Sequence, residues 1–155
     1  MTKEYPTIIV CVDNSKASEV ALRYACYKAK IMGFSVQILA AMEASHKNLL
    51  FGSRAIGNEK RKQLEQHLKE MIDSICVEIG IVPSISIREG EVITEIINEI
   101  KSVPCCAALV FGKSNKRMSD NSILPKIIQK ISDRINVPVT VVPETMDDTF
   151  LRKMV

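Results

Sequence analysis

The sequence predicts an α/β protein with a doubly wound, five-stranded parallel sheet and helices on both faces. Short apolar runs rich in β-branched residues alternate with longer segments in which apolar residues recur every three or four positions. Nearly continuous apolar runs are typical of strands that are covered on both faces, as in a parallel sheet. Glycine, proline or capping residues separate the segments. The resulting order, β-α-β-loop-α-β-α-β-α-β, indicates parallel strands joined by right-handed crossovers.

The first three elements are predicted near the N-terminus. TIIVCVD, Thr7–Asp13, is an apolar run that suits a buried strand. The residues from Asp13 to Ser15 then supply turn and N-cap chemistry. The helix that follows has a broad apolar side and ends near Gly33, since glycine suits the left-handed position after a helix. Ser35–Ala41 is the second predicted strand.

A long connection or lid is predicted at residues 43–58, which have no clean apolar period and contain two glycines. An amphipathic helix follows and ends at Gly80. Its apolar face consists of Leu64, Leu68, Met71, Ile72, Ile75 and Ile79. Residues 83–90, PSISIREG, alternate in polarity and predict the third strand. Ser84, Ser86 and Arg88 lie on the opposite side of this strand from Ile85 and Ile87.

Two helices, two strands and a tail complete the order. Residues 90–102 predict a helix with inward-facing isoleucines, and CAALVFG, residues 106–112, predicts the fourth strand. A helix at Ile123–Ile135 has Ser122 as its N-cap and Pro125 in its first turn, where proline is tolerated. Residues 137–143 predict the fifth strand. We expect residues 1–144 to form one domain and 145–155 to form a tail with no predicted structure.

The composition narrows the class of protein. The chain has 155 residues, a net charge of +3, 5% aromatic residues and no Trp. Single-stranded nucleic acid is bound on aromatic residues beside cations, so we expect no nucleic-acid partner. Charged residues interrupt every apolar run well short of a membrane span. Glu4 and Pro6 stand where a secretory signal would be apolar, and we expect a cytoplasmic protein.

The cysteine, histidine and serine residues form no recognisable catalytic or metal-binding motif. The five cysteines include no CxxC motif, and we expect mostly buried, unreactive thiols. His46 and His67 have no predicted ligand partners, so we expect both to be solvated and no metal to be bound. Ser15 and Ser18 are explained by helix capping. No catalytic group is predicted, and we do not expect an enzyme.

The candidate ligand site follows from the sheet. Ligands of open parallel sheets bind beyond the carboxyl ends of the strands, where the strand order reverses. The segments there are DNSKAS after the first strand and GKSNK after the fourth. If these strands are neighbours, Asp13 and Gly112 face each other across the crevice. Asp13 is equally well explained by turn and cap chemistry.

The chain resembles the universal stress proteins, a family of adenine-nucleotide-binding α/β domains. The matching segments are IIVCVDNSKASEVALRYA, REGEVITEIINEI, and ALVFGKSN through ISDRINVPVTVVPE. Their order and spacing match from Thr7 to Glu144. The resemblance implies a Rossmann-like fold, similar to the adenine nucleotide α-hydrolases, with strand order 3-2-1-4-5.

ATP-binding members of this family carry the motif G-x2-G-x9-G-[S/T] after the fourth strand. At its four positions this chain has Gly112, Asn115, Pro125 and Lys126. Pro125 removes a backbone donor and restricts φ, while Lys126 replaces the hydroxyl with a cation. The resemblance gives Asp13, Gly112, Ser114, Asn115 and Lys126 as the candidate nucleotide-binding residues. No cofactor is expected, unless ATP or AMP binds weakly.

The expected function is that of a regulatory or protective stress protein that acts through dimerisation and unidentified protein partners, without tight ATP binding. Family members commonly form homodimers through the fifth strand, which implies a dimer edge at Val139, Val141 and Val142. The alternative is an ATP- or adenine-nucleotide-binding switch, or a weak ATPase, with a degenerate phosphate loop. A phosphoacceptor receiver domain is poorly supported, because the acids and the lysine that it needs are missing at the strand ends.

Overall fold

A computed structural model describes residues 5–13, 15–42, 53–114 and 123–153. Its five strands form one parallel sheet in the order β3-β2-β1-β4-β5. The strands are β1 (Thr7–Cys11), β2 (Ser35–Met42), β3 (Ser84–Glu89), β4 (Cys106–Lys113) and β5 (Val139–Pro143). The predicted fold class and strand order are confirmed.

Helices cover both faces of the sheet, and on each face a separate apolar core lies between the helices and the strands. The helices are α1 (Lys16–Met32), α2 (Ser53–Met71), α3 (Val77–Ile79), α4 (Val92–Ser102), α5 (Ile123–Ser132) and α6 (Asp148–Lys153). A π-helical turn, Ile72–Cys76, joins α2 to α3. One core contains the inner faces of α1 and α2, and the other contains those of α4 and α5. The first connection and the fourth therefore leave the sheet on opposite faces.

The ends of α1 follow the predicted local chemistry. Ser15 is the N-cap, and its Oγ accepts a hydrogen bond from the Ser18 backbone N–H at 3.2 Å. Gly33 follows the helix with a φ of 71°, and its N–H donates to the Ala29 carbonyl. A left-handed φ of this kind favours glycine, so Gly33 fixes where α1 stops.

Helix α2 begins earlier than the sequence indicates. Its first residue is Ser53, so residues 53–58 are helical and the prediction of an irregular connection there is wrong. Residues 53–58 have no clean apolar period and include Gly57 and Asn58, which are poor helix formers, so neither periodicity nor propensity revealed this part of the helix. The rest of the predicted connection, residues 43–52, lies outside the described residues.

Smaller differences occur at the ends of other elements. Strand β1 stops at Cys11 rather than Asp13, β5 starts at Val139 rather than at residue 137, and α5 stops at Ser132 rather than Ile135. Ser122, the predicted N-cap of α5, lies outside the described residues. Boundaries are set by local hydrogen bonds and turns, which apolar patterns locate only to within a few residues.

The C-terminal tail forms α6, which the sequence analysis missed. Leu151 is buried, and Tyr27 donates a 2.9 Å hydrogen bond to the Asp148 carboxylate. Arg23 lies 3.5 Å from the same carboxylate, and Arg152 lies 3.2 Å from Glu78. One apolar side chain and several ion pairs therefore hold the tail against α1 and α3. A six-residue helix with a single buried leucine gives too short a pattern to recognise in sequence.

In the part of the chain that the structure describes, no helix combines the length and the apolar character needed to cross a membrane.

Candidate functional site

A crevice of about 220 Å³ opens at the carboxyl ends of β1 and β4. These strands are neighbours, and the chain leaves them for opposite faces of the sheet. This is the topological switch point at which open α/β sheets bind ligands. The walls of the crevice are mainly apolar, and they include Leu39, Ile96, Phe111, Leu124 and Ile127. Asp13 and Ser18 are its polar lining residues.

Asp13 lies at the polar end of the crevice and is held by the first turn of α1. Its Oδ1 accepts hydrogen bonds from the Ser15 backbone N–H and from Ser18 Oγ, each at 2.8 Å. Ser18 Oγ in turn accepts a 2.8 Å hydrogen bond from the Asp13 N–H. Burial acts to raise the pKa of Asp13, but the hydrogen bonds from Ser15 and Ser18 outweigh it and lower the pKa. Asp13 is therefore an ionised carboxylate that is held by the turn before α1 and lines the crevice.

His67, on α2, is not a solvated histidine as the sequence analysis expected. Its Nε2 is buried and has no hydrogen-bond partner in the described part of the chain. An electrostatic contribution from His67, smaller than those of the hydrogen bonds that Asp13 accepts, also lowers the pKa of Asp13. The expectation failed because His67 lies beside the buried Leu64 and Leu68 on the inner face of α2, so that its ring is only partly exposed. His46 lies outside the described residues.

Gly112 lines the crevice, but its lack of a side chain has a packing cause. A β-carbon at this position would lie 2.3 Å from the carbonyl oxygen of Ala17 and 2.5 Å from its carbonyl carbon. The first turn of α1 thus lies directly against the end of β4. Glycine is required at residue 112 whether or not a ligand binds.

The other candidate nucleotide-binding residues are not brought together in the same way. Lys126 is exposed on α5 and does not line the crevice, and Pro125 beside it is also exposed. Ser114 is half-buried after β4 and does not line the crevice either. Asn115 lies outside the described residues. The structure therefore joins Asp13 and Gly112 across the crevice, as predicted, and leaves Ser114 and Lys126 outside it.

A buried polar cluster between α4 and the strands β2 and β3 was not predicted from the sequence. Glu99 of α4 is 1% exposed and accepts hydrogen bonds from Ser86 Oγ at 2.8 Å, from Arg88 and from Gln37. Burial acts to raise the pKa of Glu99, but these hydrogen bonds, led by that of Arg88, outweigh it and lower the pKa. The alternation of Ser84, Ser86 and Arg88 in β3 was the available signal. It showed a polar strand face without showing which helix residue covers it.

The cysteines occupy three kinds of environment. Cys26 and Cys76 are completely buried and in contact, Cys11 and Cys106 are half-buried, and Cys105 is exposed. Burial raises the pKa of Cys11 and, to about 11, that of Cys106. Cys105, which directly precedes β4, is the exposed member of the set, and an expectation of mostly buried thiols allows for it. Among the described residues, no three His, Cys, Asp or Glu side chains are grouped closely enough to hold a metal ion.

Strand β5 forms one edge of the sheet, as the predicted dimer edge requires. Its three predicted contact residues differ in exposure. Val142 is 1% exposed and packs in the core beneath α1, Val139 is half-buried, and Val141 is 37% exposed. Val141 is therefore the member of this set whose side chain most clearly reaches the surface.

A five-stranded 3-2-1-4-5 sheet with a crevice at its switch point defines a Rossmann-like α/β domain. The chain belongs to the universal stress protein family, whose model matches residues 4–143. No curated protein matches the chain in sequence.

Solved structures agree with this fold. A universal stress protein from Archaeoglobus fulgidus is 21% identical, with a TM-score of 0.67 over 90% of this chain and 94% of that one. UspA from Lactobacillus plantarum is 18% identical, with a TM-score of 0.69 over 91% and 99% of the two chains. The Archaeoglobus fulgidus protein in complex with dAMP is 18% identical, with a TM-score of 0.66 over 90% and 99%. At these identities the likeness establishes the fold.

Proposed function

We propose that this universal stress protein is a regulatory or protective protein that acts through dimerisation and protein partners and does not bind ATP tightly. The observation that carries this proposal is the apolar wall that α5 gives the crevice. Leu124 and Ile127 line the crevice, whereas Lys126 between them is exposed outside it. The described lining therefore contains no cation for a triphosphate.

Tight binding of a phosphate chain needs several converging donors. A helix N-terminus attracts anions through its free backbone N–H groups, and glycines let these groups approach the phosphate. Pro125 removes one such donor from the first turn of α5. The cavity of about 220 Å³ is also smaller than the roughly 300–1,000 Å³ of common small-molecule pockets.

The retained glycine does not argue against this proposal. Gly112 is the motif position that this chain shares with ATP-binding relatives, and such a glycine can indicate a retained nucleotide site. Here the packing of Ala17 against β4 already requires it. Its presence therefore carries no information about a ligand.

A second candidate function is the binding of an adenine nucleotide that acts as a switch. Two observations favour it: the ionised Asp13 carboxylate lines the crevice, and the similar Archaeoglobus fulgidus structure is a complex with dAMP. A carboxylate at this point accepts hydrogen bonds from a sugar hydroxyl or a base amine. A nucleoside monophosphate has one phosphate group where ATP has three, so its binding requires fewer phosphate contacts.

Calorimetric titration of the nucleotide-stripped protein with Mg-ATP, and separately with AMP, distinguishes the two functions. We expect no micromolar binding of Mg-ATP and no adenine nucleotide in the purified protein by mass spectrometry. Micromolar binding that Asp13→Asn abolishes and the exposed control Lys126→Ala preserves would overturn the proposal in favour of the nucleotide switch. A thermal unfolding curve for each variant shows that lost binding does not reflect lost folding.

A further inference from the structure

Two buried thiols meet on the face of the sheet away from α4 and α5. Cys26 lies on α1, and Cys76 is the last residue of the π-helical turn between α2 and α3. Their Sγ atoms are 3.6 Å apart, and both residues are 0% exposed. A disulfide has an S–S length of about 2.05 Å, so the sulfurs need to approach by about 1.5 Å. Small side-chain rotations produce movements of this size.

A second observation is the irregular helical backbone that contains Cys76. The described helix running from Ser53 changes to a π-helical turn at Ile72–Cys76, next to this contact. The N–H of Val77 donates to the Ile72 carbonyl, five residues back, as in a π-helix. A π-turn widens the helix by one residue and occurs frequently at functional sites. Here it accompanies the burial of two successive side chains, Ile75 and Cys76, in the core.

The pKa values of the two thiols are also shifted in opposite directions. The hydrogen bond between the two sulfurs lowers the pKa of Cys76, against the effect of burial. The same hydrogen bond, together with burial, raises the pKa of Cys26, although the nearby Arg23 guanidinium acts in the opposite direction. Because a thiolate is the nucleophile in cysteine chemistry, Cys76 is the member of the pair suited to attack an oxidant.

We propose that Cys26 and Cys76 are a two-thiol oxidation site that forms a reversible intramolecular disulfide with a small peroxide such as H₂O₂. The Cys76 thiolate attacks one peroxide oxygen, the O–O bond breaks, and the second oxygen leaves as water after taking up a proton. The sulfenic acid on Cys76 is then attacked by the Cys26 sulfur. The S–S bond forms, the S–O bond breaks, and the hydroxyl leaves with the Cys26 proton as a second water. The thiols lose two electrons, and the peroxide is reduced to two waters.

The covalent link has a structural consequence. Cys26 and Cys76 are separated by 50 residues, a span that contains β2 and α2. Closing a loop of this length restricts the unfolded chain and so stabilises the folded one, provided that the bond adds little strain. We expect the oxidised protein to unfold at a Tm about 5–10 °C above that of the reduced protein. Peroxide thus locks α1 to the π-helical turn.

Peptide mapping after peroxide treatment tests the proposal. The full chain is reduced, treated with increasing H₂O₂, denatured, and alkylated with N-ethylmaleimide before digestion and mass spectrometry. We expect a Cys26–Cys76 peptide two hydrogens lighter than the separate peptides, with the Tm rise reversed by dithiothreitol. Because the pair is buried, we expect it to react more slowly than the exposed Cys105, at a rate that local opening sets.

Two sets of variants serve as controls. Cys26→Ala and Cys76→Ala should each abolish the linked peptide and the Tm rise, whereas Cys105→Ala should preserve both. The proposal is overturned if Cys26 and Cys76 remain fully alkylated after prolonged incubation at peroxide concentrations well above the one that consumes Cys105, or if the link joins Cys105 instead. The peptide map of the wild-type protein tests for the Cys26–Cys76 disulfide even if an alanine variant does not fold.

Discussion

The end of β4 and the first turn of α1 are in direct contact between Gly112 and Ala17. A β-carbon added to Gly112 would be 3.0 Å from the Ala17 β-carbon and closer still to the Ala17 carbonyl group. The obstacle is therefore backbone, which cannot rotate away as a side chain does. This contact places the N-terminus of α1, with Asp13 before it, beside the crevice.

Gly112→Ala is expected to destabilise the protein by about 1–3 kcal/mol, because α1 must move away from β4 to admit the methyl group. Urea unfolding followed by circular dichroism measures the loss. Gly33→Ala is the matched control, since nothing lies within 4 Å of its added β-carbon and the left-handed φ of 71° alone costs about 1 kcal/mol. Equal stability of Gly112→Ala and wild type would contradict the close packing.

Glu99→Gln is expected to weaken the fold at neutral pH by about 1–3 kcal/mol, because Arg88 and Ser86 lose a buried charged acceptor. The pKa of Glu99 is lower in the folded protein than in the unfolded chain. Its stabilisation is therefore present above the ordinary glutamate pKa of about 4.3 and is lost as the pH falls through the lowered folded pKa. Urea unfolding between pH 7 and pH 3 should show a smaller acid-induced loss in the variant.

Glu95→Gln is the control for this cluster. Glu95 also pairs with Arg88, at 3.6 Å, but its side chain is more exposed than that of Glu99, 17% against 1%. We expect a loss of less than about 1 kcal/mol, since partly exposed ion pairs contribute little. If Glu95→Gln costs as much as Glu99→Gln, the buried carboxylate is not the organising group of the cluster.

Leu151→Ala is expected to cost about 2–4 kcal/mol, because it removes the buried side chain that holds α6 against the body of the protein. Its neighbour provides a matched control: Phe150 is 52% exposed, and Phe150→Ala should cost less than about 1 kcal/mol. Chemical denaturation of the two variants compares them directly. A reversed order of stabilities would mean that α6 docks through Phe150 and the ion pairs instead.

The sheet could be predicted because its buried parallel strands have nearly continuous apolar sequences, which are a strong local signal. Runs such as that at Thr7–Cys11 are apolar on both sides, and Gly33 marks the end of α1 through its own backbone preference. The helical segments that were not predicted lack such a local sequence signal. The start of α2 contains Gly57, which disfavours a helix, and α6 depends on partners far away in sequence, such as Tyr27 for Asp148.

The candidate site was predictable only in part. The switch point follows from topology, which is why Asp13 and Gly112 were correctly placed across one crevice. The reason for glycine at residue 112 was not predictable, because it depends on the distance between α1 and β4. For the same reason, neither the His67–Asp13 interaction nor the Cys26–Cys76 contact could be read from spacing along the chain.

Val141→Lys tests the proposed homodimer through β5. Val141 is exposed on an edge strand, and a charged side chain at such an edge opposes strand pairing. By sedimentation velocity we expect a dimeric wild type and a monomeric variant with an unchanged circular dichroism spectrum. Ile85→Lys is the matched control, because Ile85 is 50% exposed on β3, the opposite edge strand, and should leave the dimer intact. A dimer that survives Val141→Lys but dissociates in Ile85→Lys would place the interface on β3, and a monomeric wild type would remove dimerisation from the proposed function.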